Sequence, residues 1–256
     1  MIEEKMFSLR DESQVEGLSR FFKTGPGQYG EGDRFLGIKV PVTRSVVKEI
    51  WQDCSFDELE SSIVSPWHEV RLCSLLVLVQ IYRHARKDRE LQSRCVDFYL
   101  SHTGNINNWD LVDLSCYEIL GDWLLDKNRS ILYDLAGNGR TIWEKRIGIV
   151  SCMQFIRHGE YDDAIAISDI LLHHPHDLIH KAVGWQLRDV GKRDGTLLRN
   201  WLDSPAPGES LPRCAIMPRT MLRYAIEKFP EQDRILYMSK KAELQKFYSF
   251  AVDNAF

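Results

Sequence analysis

The sequence predicts an all-α fold, a solenoid of stacked two-helix repeats, on three observations. Apolar residues recur with helical rather than alternating period along nearly the whole chain. The helical stretches come in pairs separated by short polar breaks. A cluster of aromatic and charged residues opens every second helix, at intervals close to the length of one helix pair.

The elements follow in order. Lys23 to Gly32 holds four glycines and a proline, so it is a loop. Phe35-Leu36-Gly37-Ile38-Lys39-Val40-Pro41 follows, and Pro41 suits the first turn of a helix running through Val46, Val47 and Ile50. Helices are predicted at about 65–84 and 88–101, then over the strongly apolar 107–125 with a partner at 128–136. The series continues at 141–157, 161–172, 177–190 and 194–202. A linker with Pro205, Pro207, Pro212 and Pro218 leads to a last helix at 219–229, which Pro230 ends. The tail from about Asp233 is compatible with a helix.

The opening clusters are Trp67-His68-Glu69-Val70-Arg71, Trp109-Asp110-Leu111-Val112-Asp113, Trp143-Glu144-Lys145-Arg146 and His180-Lys181-Ala182-Val183-Gly184-Trp185. Arg71 to Asp113 is 42 residues, Asp113 to Arg146 is 33 and Arg146 to Lys181 is 35. These intervals suit HEAT or armadillo repeats, whose inner helices line a concave surface.

Composition excludes several classes. With 44% hydrophobic and 27% charged residues in 256, the chain reads as an ordinary globular protein. No apolar run reaches the about 18 residues of a membrane span, and the charged start MIEEKMFSLRDES lacks a signal-peptide core, so an intracellular, cytoplasmic protein is expected. The six cysteines are scattered without a CxxC pair and are expected to be reduced, those at 73, 95, 116 and 152 buried. The net charge of −4 disfavours tight non-specific binding to nucleic acid but allows a local basic face. The stretch His173-His174-Pro175-His176-Asp177 has metal-ligand residue types. Pro175 breaks the helical spacing, however, so a capping role ahead of the helix carrying Trp185 is expected.

Trp109 and Asp113 lie four residues apart, about 40° apart around a helix. Val112, Cys116, Ile119 and Trp123 make the apolar stripe beside them, which puts Asp113 at the edge of a buried face. A carboxylate there is a functional candidate, and equally one that caps a helix or balances its dipole. Trp109, Trp143 and Trp185 read as core anchors or as aromatic walls of a site. Asp110, about 60° further round from Asp113, is expected to be a bystander.

The stretches Asn107 to Asp113, Trp143-Glu144-Lys145-Arg146-Ile147-Gly148-Ile149 and His180 to Lys192 resemble signature segments of the AlkD-like DNA alkylation repair enzymes. So do Phe35 to Ile38 and Met217-Pro218-Arg219-Thr220-Met221-Leu222-Arg223, and together they cover about residues 20–230. The resemblance implies a right-handed superhelical solenoid of HEAT-like repeats, here one domain over 1–256 with a C-terminal tail at 231–256. It implies a DNA glycosylase that hydrolyses the N-glycosidic bond of cationic alkylpurines, 3-methyladenine and 7-methylguanine, in duplex DNA; a monomer is expected. The lesion stays in the duplex without base flipping, and no metal or organic cofactor is used. Asp113, Trp109 and Trp185 are the implied catalytic residues, and Arg146 the implied backbone clamp. Lys181, Arg188, Lys192 and Arg193 extend the expected DNA-binding strip. Two rival readings remain: a non-catalytic repeat protein that binds branched or unusual DNA, and a scaffold for protein partners.

Overall fold

The computed structural model describes residues 1–239, so most of the 231–256 tail lies outside the described residues. The described residues carry fifteen bounded α-helices, further helical residues at 231–239, and no strand beyond two isolated bridges, as the helical period predicts. They fall into two compact units, residues 1–127 and residues from 128 on.

In the first unit α1 (Ile2–Ser8) and α2 (Glu12–Phe21) precede the glycine-rich loop. α3 (Val40–Ile50) carries Pro41 in its first turn, as expected. α4 (Phe56–Ile63), α5 (His68–His84) and α6 (Arg89–Ser101) follow. α5 is the hub: α1, α3, α4, α6 and α7 (Trp109–Asp113) all pack on it. It is buried along thirteen of its seventeen residues, so the charged residues of its first turn are buried with it.

The apolar stretch 107–125 departs from the single helix expected. α7 ends after five residues, a turn follows, and 117–121 form a wider π-helical turn before a short 3₁₀ turn at 124–126. Buried Ser115 lies at the break, where its Oγ donates to the Leu111 carbonyl at 2.5 Å. Such back-bonding competes with the backbone ladder and bends helices. π-Turns of this kind often accompany functional sites.

The second unit contains α8 (Ser130–Asn138), α9 (Ile142–Val150), α10 (Met153–Arg157) and α11 (Asp162–Ile170). α12 (Asp177–Arg193), α13 (Gly195–Asp203), α14 (Arg213–Ile216) and α15 (Arg219–Ala225) complete it. The expected 141–157 helix is split into α9 and α10 at Ser151–Cys152. α12 is the hub here, packed on α9, α10, α11, α13 and α15. Gly184 permits the close approach of α15, since a Cβ there would meet the Tyr224 Cβ at 2.5 Å and the Met221 carbonyl at 2.6 Å.

The capping role expected of the histidine stretch is present. His176 caps α12, its Nδ1 accepting from the Leu178 N–H at 3.1 Å, while His173 pairs with Glu209. All six cysteines are free, and all but Cys54 are buried.

Candidate functional site

The site in the first unit is built on the first turn of α5. Charged side chains at the start of an otherwise apolar, buried helix must find partners inside the protein. Glu69 accepts from the backbone N–H groups of Leu36, Gly37 and Ile38 at 2.9, 2.9 and 3.1 Å. That carboxylate shapes the 36–38 segment. Gly37 is required there, because its φ is +88° and a Cβ would approach the Asp11 carbonyl oxygen to 2.0 Å.

His68, only 1% exposed, stands between two carboxylates. Its Nδ1 lies 3.1 Å from Asp33 Oδ2 and its Nε2 2.9 Å from Asp110 Oδ2. Arg71 donates to Asp33 at 2.5 Å, to Asn107 at 2.9 Å and to the Ser65 carbonyl at 2.7 Å. Asn107 and Asn108 each donate to Asp33 at 3.3 Å. Burial alone would push the His68 imidazole toward neutrality, but the charges and hydrogen bonds of Asp110 and Asp33 override it and raise its pKa to about 9. Asp33 is held below the usual carboxylate range: burial raises it, and His68, Arg71 and Asn108 lower it further.

Asp110 is therefore no bystander. It is 3% exposed, pairs with His68, and accepts from the Leu111 N–H at 2.9 Å in the first turn of α7. The capping explanation for Asp113 also falls away. Asn108 is the N-cap of α7, and Asp113 sits at the other end, where a helix dipole disfavours an anion.

Trp109 and Asp113, both half-buried, line one cavity of about 390 Å³. Phe21, Phe22, Phe35, Ile38, Leu72 and Leu114 supply its apolar walls, and His68 and Lys39 also face it. The aromatic rings are ordered as a stack. Phe22 lies between Phe35 (5.0 Å, 20°) and Trp109 (5.4 Å, 18°), while Phe35 stacks on His68 at 4.6 Å. Phe21 meets Trp109 edge-on at 5.8 Å. The structure thus joins Trp109 to Asp113 as the four-residue spacing predicted.

The other candidates belong to the second unit. Trp185 is half-buried on α12. Arg146, expected on a basic strip, is 5% exposed, and its Nη1 donates to the Leu178 carbonyl at 2.5 Å. Lys181 pairs with Asp177 at 2.7 Å, Lys192 with Asp189 at 2.8 Å and Arg188 with Glu227. Arg193 donates to the Asp189 carbonyl at 3.1 Å. The expected strip is interleaved with carboxylates rather than bare: α12 carries Asp177 and Asp189 three or four residues from Lys181, Lys192 and Arg193, and Glu227 meets Arg188.

Among the described residues, an all-helical architecture with two hub helices and an aromatic, carboxylate-edged cavity defines a helical-repeat protein. The profile of the family described as DNA alkylation repair enzyme matches residues 2–229, and the chain belongs to that family. Among solved structures it is similar to a predicted DNA alkylation repair enzyme from Enterococcus faecalis. The TM-score is 0.63 at 13% identity, covering 87% of this chain and 97% of that one, a likeness of fold. No curated protein matches the chain. Family membership supports a role in DNA repair, with DNA as the partner.

Sequence reasoning singled out the His68-Glu69-Val70-Arg71 cluster as punctuation and gave it no task. It also passed over Asp33, Phe21, Phe22 and Phe35. The signal was present: α5 is apolar on every face, so charges in its first turn could be satisfied only by buried partners.

Proposed function

We propose that the chain is a DNA glycosylase that hydrolyses the N-glycosidic bond of cationic alkylated purines in duplex DNA, 3-methyladenine and 7-methylguanine being the expected lesions. The observation that carries this reading is the half-buried Asp113 sharing an aromatic-walled cavity with Trp109. A purine alkylated to a cation is already a good leaving group, and positive charge builds on the deoxyribose as the bond breaks. A carboxylate beside the sugar stabilises that charge and orients the attacking water. An indole face contributes through its negative quadrupole.

In line with the family resemblance, the lesion remains stacked in the duplex, and no metal or organic cofactor takes part. Among the described residues no helix is long and apolar enough to cross a membrane. Trp185 is the second catalytic aromatic of this reading, and the protein acts as a monomer inside the cell.

The test is incubation with duplex DNA carrying 7-methylguanine, followed by detection of the free base. Base release supports the glycosylase reading. DNA binding without release points to a non-catalytic binder, and absence of DNA binding to a protein scaffold.

Lys181, Arg188, Lys192 and Arg193 are the proposed phosphate contacts. Arg146 joins them only by exchanging the Leu178 carbonyl for a phosphate. Each contact that releases a counterion adds roughly 0.9 to the slope of log affinity against log salt. Lys192→Ala is expected to lower that slope by about one and to weaken damaged and undamaged duplex alike, since phosphate contacts carry no base information. An unchanged slope removes Lys192 from the interface.

A further inference from the structure

We propose that His68 is a positioning residue for the chemistry at Asp113. As an imidazolium clamped between Asp33 and Asp110, it ties α7 to the 33–38 segment and so sets the cavity walls. This rests on the glycosylase reading above. The geometry demands the charge. A neutral imidazole carries one N–H, and here both ring nitrogens face carboxylate oxygens, at 3.1 and 2.9 Å. Only the imidazolium donates to both. Loss of its proton turns a lone pair toward one carboxylate and cuts the tie on that side. The two sides carry the site between them: Trp109 and Asp113 follow from Asp110 on α7, and Phe35 follows from Asp33.

The groups around His68 are all accounted for. Asp33 faces it from the segment after Gly32, and Asp110 from α7. Arg71 and Glu69 flank it on α5, Phe22 packs on it from the end of α2 and Phe35 from the 33–38 segment. Asp113 and Lys39 share its cavity. Arg71 opposes the proton, but it is itself engaged by Asp33. The folded pKa of about 9 stands above the ordinary 6.5. The contribution of the clamp is therefore complete below about 6.5 and is lost as pH rises through about 9.

The experiment follows base release under single-turnover conditions, from about pH 6.5 to 10, for wild type, His68→Gln and Asp110→Asn on the same DNA. Ratios between proteins cancel the titration of the lesion itself. The wild-type to His68→Gln ratio is expected to be roughly tenfold at neutral pH, equivalent to about 1.4 kcal/mol of lost positioning, and to close toward one above pH 9 with DNA affinity unchanged. Asp110→Asn is the rescue. Its amide can donate to a neutral Nε2 while Nδ1–H donates to Asp33, so the rate at neutral pH survives and the alkaline decline disappears. It also serves if His68→Gln does not fold. A ratio that is flat with pH, or an Asp110→Asn enzyme that keeps the wild-type alkaline limb, overturns the proposal.

If wild type releases no base, the glycosylase reading fails and the clamp is still tested. The fluorescence of Trp109, taken as wild type minus Trp109→Phe, should change through about pH 9 in wild type and not in Asp110→Asn. No change in wild type overturns the clamp.

Discussion

Asp113→Asn is expected to lower 7-methylguanine release by roughly a hundredfold or more, about 3 kcal/mol, the scale of one preorganised electrostatic group. The substitution keeps the side chain's shape, removes the charge and turns one acceptor oxygen into an amide donor. Because the caps of α7 are Asn108 and the first-turn Asp110, Asp113 does not hold the start of its own helix. The folded state should therefore survive, with no thermal loss from a missing cap. Binding to duplex DNA should hold or rise slightly, since a negative charge near phosphates is gone. The checks are single-turnover base release, DNA binding and thermal unfolding on the same preparation. A folded variant that releases base at the wild-type rate would falsify the assignment of Asp113.

The largest expected effect on stability is at Glu69. Its buried carboxylate accepts three backbone N–H bonds from Leu36, Gly37 and Ile38. Truncation to Ala orphans three buried donors, each costing about 1–3 kcal/mol when left unmade. Some relaxation and water entry will recover part of that, so Glu69→Ala should cost about 3–5 kcal/mol, measured by urea unfolding. Activity should fall further than stability alone explains, because Phe35 and Ile38 on the released segment line the cavity beside Trp109. A loss under 1 kcal/mol, with activity intact, means that the segment is held by its packing and not by the carboxylate.

The two variants probe different parts of one site, and the sequence revealed those parts unequally. Helical period, Pro41 at a first turn and polar breaks are local properties, so the all-α class and most helix positions were legible from residue order. The pairing of Trp109 with Asp113 was legible too, since four residues on a helix bring two side chains to one side whatever packs nearby. The interruption at 114–121 was not, because Ser115 could equally have pointed to solvent; burial in the unit directed its hydroxyl onto the Leu111 carbonyl.

Asp33, His68 and Asp110 are separated by 35 and 42 residues, and no period relates them. Only the docking of α7 and the 33–38 segment against the first turn of α5 makes them a triad. The same holds for the cations of α12. Residue order placed Lys181 and Arg188 on one helix and Lys192 and Arg193 just past its expected end at 190; the structure carries the helix on to Arg193, and the pairing of Arg188 with Glu227 depends on α15 lying alongside. The sequence by itself determined which residues are helical and which neighbours on a helix share a face, because those depend on backbone geometry within a few residues. Tertiary structure alone decided which charges are buried, which carboxylates are spent on partners and where an aromatic cavity opens. Desolvation and long-range pairing are set by what each helix packs against.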